Sequence, residues 1–328
     1  MKVYTSKQLR NVAILSHGGA GKTSLVEAML HDAGHTTRLG RTDDGTTVTD
    51  YLPEEIKRKV TVSTTLAPVE WKDCKINALD SPGYADFIGE VKSAMRACDG
   101  MVMVVDAVGG VEVMTEVHWE AADEQNLPRF VFINKLDREN ADFFKVLDEM
   151  RERFGTKVVP MTLPIGAEDK FAGVVHILKK KAFQYDGNKV SEIPVPADQE
   201  ADIDKYRETI MEAAAEGDDE LLMKYLDGEQ LTDEEINAGL LAGVKEAKVI
   251  PVYCGSATKN IGVQQLMDDI VGFMPSPVDV YGEGITGGPL TAIVFKTLAD
   301  PFVGKLSYLR VMKGTLKADS TIHNITKS

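Results

Sequence analysis

The sequence predicts an α/β fold: a mostly parallel sheet with helices on both faces, an α+β insertion, and the first strands of a β-barrel at the end. Three observations support it. Apolar β-branched runs alternate with helical stretches over the first 155 residues, an acidic stretch then interrupts this alternation, and only strand patterns follow residue 288. The 328 residues, 43% of them hydrophobic, suffice for more than one folding unit.

Continuous apolar strands separated by helices predict a parallel sheet that is buried on both faces. The strand patterns cover residues 11–15, 101–106 and 129–133, and the helical patterns cover residues 22–33, 111–124 and 139–154. Two further strands, at 66–71 and 75–79, are separated only by Lys72 and Asp73, which predicts an antiparallel pair at the sheet edge.

The alternation stops after Pro160 and resumes with a strand at 249–254 and a helix at 263–273. Between them lie a small β segment at 173–193 and acidic helices, one of which Thr232 opens with capping-box spacing. We therefore interpret residues 1–287 as one domain that contains an inserted subdomain at about 160–247.

The sequence of residues 288–328 predicts the first strands of a β-barrel, with strand patterns at 291–297, 305–312 and 321–325. So few strands cannot close a barrel, and unpaired strand edges are costly. We therefore expect the chain to be the N-terminal part of a longer protein.

The net charge of −14 argues against direct nucleic-acid binding by this chain. The charge is concentrated, because residues 191–250 hold 17 acidic and 5 basic side chains and carry −12. Such a lobe suits a basic protein partner, although a solvated helical surface explains it equally well. Three widely separated cysteines and the lack of a long apolar run predict a reduced, cytoplasmic protein without a membrane segment.

A glycine-rich loop between the first strand and the first helix has the composition of a phosphate-binding loop. Its backbone N–H groups and the helix N-terminus would surround phosphate oxygens. Lys22 would reach the β and γ phosphates, and Thr23 would bind Mg²⁺. The predicted loop residues are Ser16, His17, Gly18, Gly19, Ala20, Gly21, Lys22, Thr23 and Ser24.

A second motif follows an apolar strand and consists of Asp80, Ser81, Pro82 and Gly83. The Asp80 carboxylate would hold Mg²⁺ through water, and the Gly83 N–H would donate to the γ phosphate, where only glycine permits close approach.

Two further motifs predict a guanine site, each at the end of a strand. They are Asn134, Lys135, Leu136 and Asp137, and then Gly255, Ser256 and Ala257. The Asp137 carboxylate can accept two hydrogen bonds from guanine, whereas adenine has no donors there and would leave it unpaired.

In this order and over essentially the whole chain, the motifs resemble elongation factor G and its close paralogues. The stretches that carry the resemblance include AGKTSLVEAML, LDSPGYADF, NKLDRENADF, PIGAEDKFAGVV, DDELLMKYLDGE and CGSATKNIGVQQLMDDIVGFMPSP. The resemblance implies that Thr61 is the switch threonine that joins Mg²⁺ when GTP is bound. It also implies an extra subdomain within the G domain and a β-barrel second domain.

The chain departs from this family at four positions. Tyr84 stands where histidine orders the attacking water, Gly19 where aspartate is usual, Lys59 where glycine is usual, and Ser16 where glycine or alanine is usual. We therefore expect GTP and GDP binding to be kept and intrinsic hydrolysis to be slow.

The resemblance implies a ribosome-dependent GTPase that acts in translocation, with Lys22, Thr61, Gly83 and Tyr84 as catalytic residues and Thr23, Thr61 and Asp80 as metal ligands. It suggests the basic ribosomal stalk protein as the partner of the acidic insertion, and the full-length protein as the ribosome-binding form. Two alternatives remain: a ribosomal protection or release-factor-recycling GTPase, and a slow or non-hydrolysing GTP-dependent ribosome-binding switch.

Overall fold

The computed structural model describes residues 2–187, 189–300 and 302–327, which form three β-sheets and the helices around them. The strands are β1 Leu9–Ser16, β2 Thr65–Trp71, β3 Cys74–Asp80, β4 Gly100–Asp106, β5 Arg129–Asn134, β6 Val158–Pro160, β7 Thr162–Ile165, β8 Gly173–His176, β9 Lys181–Asp186, β10 Lys189–Ile193, β11 Ile250–Cys254, β12 Thr291–Asp300 and β13 Gly304–Lys313. The helices are α1 Lys22–Asp32, α2 Pro53–Arg58, α3 Ile88–Ala97, α4 Val113–Glu124, α5 Phe143–Phe154, α6 Glu200–Ala215, α7 Asp219–Leu226, α8 Asp233–Lys245, α9 Val263–Phe273 and α10 Pro277–Tyr281.

The central sheet has seven strands in the order β2-β3-β1-β4-β5-β11-β6. Only β2 runs antiparallel to its neighbour, and its turn to β3 passes through Lys72 and Asp73, both with positive φ. This backbone matches the twist of a tight hairpin. The carboxyl ends of β1, β3, β4, β5 and β11 therefore meet along one edge, where open α/β sheets bind ligands.

The interior of the sheet is apolar and fully buried. Three strand segments have no exposed surface: Val12 to Leu15 of β1, Met101 to Val104 of β4 and Phe130 to Ile133 of β5. This burial explains why the strands have continuous apolar sequences instead of alternating ones. Close packing of these strands gives the loops at their ends a rigid base.

The insertion consists of an antiparallel sheet in the order β10-β9-β8-β7 together with helices α6, α7 and α8. Helix α8 begins as predicted: the Thr232 hydroxyl accepts from the Glu235 N–H, and the Glu235 carboxylate accepts from the Thr232 N–H. Helix α5 begins at Phe143, later than predicted, because Asp142 accepts from the Lys145 N–H as its N-cap.

Strands β12 and β13 form a two-stranded antiparallel sheet. The strand predicted at 321–325 is wrong: residues 321–324 are irregular and exposed, and a short 3-10 helix covers Ile325–Lys327. The mixed α/β fold class, with its mostly parallel sheet and its antiparallel additions, is confirmed. Among the described residues, no helix is both long and apolar enough to cross a membrane.

Candidate functional site

The predicted phosphate loop joins β1 to α1 and has the backbone that its glycines allow. Gly19 and Gly21 have φ of 85° and 99°, a region that side chains disfavour. A Cβ at Gly21 would lie 2.3 Å from Nδ2 of Asn134, so this position also requires close approach. Ser16 ends β1, Lys22 begins α1, and residues 17–21 form the turn between them.

Lys22 lies beneath this loop and against the second motif. Its ammonium donates to the Ser16 hydroxyl at 2.9 Å and to the His17 carbonyl at 3.4 Å. A Cβ at Gly83 would lie 2.4 Å from Nζ of Lys22 and 2.9 Å from the Gly18 nitrogen. The structure therefore brings Lys22, Gly83 and the phosphate loop together, and explains why position 83 is glycine.

Several oxygen-bearing side chains meet beside Lys22. The hydroxyls of Thr23 and Thr61 are 3.0 Å apart, and Thr61 donates to Asp50 at 2.7 Å. Thr49 donates to Oδ2 of Asp80 at 2.9 Å, and Oδ1 of Asp80 is buried without a partner among the described residues. Hard oxygen donors of this kind, together with phosphate oxygens, are the ligands that Mg²⁺ prefers.

The electrostatics of this cluster also suit a bound phosphate and a divalent cation. Burial lowers the pKa of Lys22 to about 8, although Asp80 and Asp50 oppose the shift. Burial, and then the charge of Asp50, raise the pKa of Asp80 to about 7. Anionic phosphate would stabilise the ammonium form of Lys22, and a cation would stabilise the carboxylate form of Asp80.

The base-reading motifs are joined by Asn134. Its Nδ2 donates to the Ala20 carbonyl at 2.9 Å, and its Oδ1 accepts from the Ala257 N–H at 2.9 Å. The Leu136 N–H donates to the Gly255 carbonyl, which ties the two motifs together a second time. Three separate stretches of sequence therefore converge at one edge of the sheet.

Asp137 and Lys135 lie where these three stretches of sequence meet. Oδ1 of Asp137 is buried and has no hydrogen-bond partner among the described residues, so it is an available acceptor on a half-buried side chain. Lys135 has φ of 68° and forms a 2.7 Å ion pair with Asp106 at the end of β4. An unpartnered buried acceptor fits a ligand with N–H donors, as guanine has. Of the remaining motif residues, Ser81 and Pro82 follow the end of β3, Ser256 follows the end of β11, and Ser24 lies in the first turn of α1.

Tyr84 lies over the phosphate loop, with its ring against Gly18. A Cβ at Gly18 would lie 2.7 Å from Cζ of Tyr84, closer than real Cβ atoms come to other atoms. The tyrosine is nevertheless 45% exposed. The ring therefore occupies a position that exists only because residue 18 has no side chain.

The structure also shows the surroundings of the other three positions at which the sequence departs from the family pattern. Ser16 is fully buried and supplies a hydroxyl to Lys22. Lys59 has φ of 55° and ψ of 38° at the end of α2, a left-handed conformation that glycine adopts at lower cost. At Gly19 a Cβ would meet nothing within 4 Å among the described residues, so the glycine leaves open space above the loop.

Asp50 and Asp106 are site residues that the motifs did not indicate. Asp50 is 4% exposed and reaches Thr61 from a segment without a recognisable motif. Asp106 is the last residue of β4. Its place at the carboxyl end of a central strand is the one feature of the sequence that could have indicated a site residue there.

Comparison with known proteins assigns the chain to a family. A family model described as the elongation factor Tu GTP binding domain matches residues 7–276. The chain therefore belongs to this family of translational GTPases, and the resemblance inferred from the sequence is confirmed. Membership of this family implies that the chain binds guanine nucleotide.

A crystal structure of a protein from Thermus thermophilus is similar to this chain. The TM-score is 0.89 and the sequence identity is 37%, over 95% of this chain and 46% of that one. This chain thus spans about half the length of that protein.

Proposed function

We propose that this chain binds GTP with Mg²⁺ and hydrolyses it as part of an elongation factor G-type protein that acts with the ribosome in translocation. The observation that carries the proposal is the convergence at Asn134, which holds the phosphate loop and the loop after β11 together beside the unpartnered oxygen of Asp137. The family assignment supports the same activity.

In this proposal each residue has a positioning or electrostatic role. When bound, Mg²⁺ neutralises charge on the phosphate oxygens. Thr23, Thr61 and Asp80 would hold it, and Lys22 would offset charge on the phosphates from beneath the loop. The Gly83 N–H would donate to the terminal phosphate, and the Tyr84 hydroxyl would orient the attacking water through one hydrogen bond.

The proposed partner of the insertion is a basic protein of the ribosomal stalk. Support comes from the charge of −12 on residues 191–250. On α7 in that stretch, Met223 and Leu226 are 66% and 72% exposed, one helical turn apart and close in sequence to acidic side chains. An exposed apolar pair in an acidic stretch suits a basic partner with a matching apolar patch.

A second candidate function is a GTP-dependent ribosome-binding switch with little hydrolysis. The contact between Tyr84 and Gly18 favours it, because the residue expected to order water packs on the loop, and Gly19 provides no carboxylate. A ribosomal protection or release-factor-recycling role would use the same domain. Turnover measured for the full-length protein with and without ribosomes separates an active GTPase from a switch.

The proposal predicts that nucleotide specificity depends on Asp137. The wild-type chain should bind GTP far more tightly than ATP, by roughly 10⁴-fold for a site that pairs with guanine donors. Asp137→Asn exchanges an acceptor for a donor, so it should weaken GTP binding and improve binding of xanthosine triphosphate. Calorimetry measures all three affinities.

Asp148→Asn is the matched control, since Asp148 is exposed on α5 and its substitution removes the same charge elsewhere. It should leave all three affinities unchanged. Wild-type affinities for GTP and ATP within about tenfold of each other would refute the assignment of the base site.

A further inference from the structure

The segment from Gly40 to Thr64, which the structure describes in full, carries Thr49, Asp50 and Thr61 to the site but forms no strand. Helix α2 is its one regular element within these described residues. Several of its backbone N–H groups donate to side-chain carboxylates instead of to carbonyls. The position of this segment therefore depends on a few glutamates.

Glu27, on α1, supports the first half of the segment. Its side chain is fully buried, and Oε1 accepts from the Val48 N–H at 2.6 Å. The segment packs closely on it, because a Cβ at Gly40 would lie 2.3 Å from Oε2 of Glu27. The Val48 contact lies directly before Thr49 and Asp50.

Glu55, on α2, supports both halves of the segment and is also fully buried. Oε2 accepts from the Leu52 N–H at 3.2 Å, and Oε1 accepts from the N–H groups of Val62 and Ser63 at 3.1 and 3.2 Å. These contacts lie two residues after Asp50 and directly after Thr61. One carboxylate thus fixes the backbone beside both residues.

No Lys, Arg or His of the described residues lies within ion-pair distance of Glu27 or Glu55. Burying a carboxylate is costly unless it is well hydrogen-bonded. The Val48 contact to Glu27 is short, whereas the three N–H contacts to Glu55 are of ordinary length and act together. An apolar side chain would fill the same space, so what these glutamates add is a fixed backbone position.

We infer that Glu27 and Glu55 are positioning residues of the nucleotide site. They hold the backbone around Asp50 and Thr61 so that Thr61 stays 3.0 Å from Thr23 and Thr49 stays 2.9 Å from Asp80. The inference rests on the proposed function, in which Thr61 responds to the terminal phosphate of GTP. Their loss should therefore weaken binding of GTP more than binding of GDP.

The test compares Glu27→Leu and Glu55→Leu with Glu54→Leu in the intact chain, because leucine removes the accepting oxygens and still fills the space. Glu54 is the adjacent, exposed residue on α2 and pairs with Arg58, so the same substitution there controls for the loss of a charge. The measurements are the Mg²⁺-dependent affinities for a non-hydrolysable GTP analogue and for GDP, and amide hydrogen exchange over residues 46–64.

The two buried variants should lose at least tenfold in the ratio of analogue to GDP affinity, and their exchange over 46–64 should be at least tenfold faster. Glu54→Leu should change neither. An unchanged ratio in both buried variants, or an equal loss of analogue and GDP affinity, would overturn the inference. A wild-type chain that binds neither nucleotide would instead refute the proposed function.

Discussion

At the scale of single residues, the most distinctive feature of the site is the pair formed by Tyr84 and Gly18. The ring can lie over the phosphate loop only because Gly18 has no Cβ. A neutral phenol cannot offset charge as a protonated histidine could, but it can donate and accept a hydrogen bond. In the proposed function, Tyr84 would therefore contribute to hydrolysis through orientation.

Tyr84→Phe separates orientation from packing, because it keeps the ring on Gly18 and removes only the hydroxyl. If the hydroxyl positions water, ribosome-stimulated turnover of the full-length protein should fall tenfold or more, about 1.4 kcal/mol, with GTP affinity unchanged. Tyr281→Phe is the control, since Tyr281 is similarly exposed, at 42%, but lies on α10. Unchanged turnover in Tyr84→Phe would mean that the residue acts only through packing.

At the scale of elements, α4 contains a histidine whose protonated form is disfavoured in the folded state. His118 is fully buried, and neither ring nitrogen has a hydrogen-bond partner among the described residues. Burial, followed by the charges of Lys22 and His17, lowers the pKa of His118 to about 4 from 6.5. The folded state therefore favours the neutral imidazole, and the unfolded state binds the extra proton between these pH values.

This shift predicts that acid destabilises the protein through His118. The contribution of the neutral imidazole to the free energy of unfolding should be fully present above pH 6.5 and should decrease as pH falls toward 4. Between pH 7 and pH 5 this group should lower the free energy of unfolding by about 2 kcal/mol. His118→Leu should remove that part of the pH dependence, whereas His323→Leu, at an exposed position, should keep it. Urea unfolding at the two pH values measures the difference. Equal acid losses in wild type and His118→Leu would contradict the prediction.

The elements show what sequence patterns can and cannot predict. The central sheet and the cap at Thr232 were predictable, because apolar runs and capping residues express local preferences. The strand expected at 321–325 is wrong, since a short β-like pattern forms a strand only beside a partner edge. Glu54 and Glu55 make the limit plain: they are adjacent and identical, yet one is exposed and the other fully buried. Only tertiary contacts distinguish them.

At the scale of the whole molecule, the β12–β13 sheet is joined to the central sheet by a buried ion pair. Nη2 of Arg310 donates to both oxygens of Asp99, at 2.8 and 2.9 Å, and Asn11 donates to Asp99 at 2.7 Å. Lys296 donates to the Thr64 carbonyl at the end of the segment that carries Thr61. The hairpin of β12 and β13 thus contacts both the central sheet and the segment from Gly40 to Thr64.

Arg310→Ala should lower the free energy of unfolding by about 3–5 kcal/mol, because it leaves the Asp99 carboxylate buried without its cation. Adding Asp99→Asn should restore part of the loss, since the neutral amide is less costly to bury. Urea unfolding followed by circular dichroism measures both variants. A double variant no more stable than Arg310→Ala would show that the loss comes from packing.

The distribution of charge over the whole molecule leads to the prediction about partners. Outside residues 191–250 the chain is almost neutral, so long-range attraction to a basic partner should be directed to the insertion. Attraction of this kind mainly accelerates association, and added salt screens it beyond about 8 Å at physiological ionic strength. The rate of association at low salt is therefore its most sensitive measure.

Reversing two exposed charges on α7, with Asp219→Lys and Glu220→Lys, should slow association at low salt with the basic stalk protein that we propose as the partner. The same reversal on α5, with Asp148→Lys and Glu152→Lys, changes the net charge equally but lies outside the acidic stretch. Stopped-flow association at low and high salt should show a larger effect for the α7 variant, and the difference should vanish as salt rises. Equal slowing by both variants would mean that net charge alone governs the encounter. The insertion would then be an ordinary solvated surface.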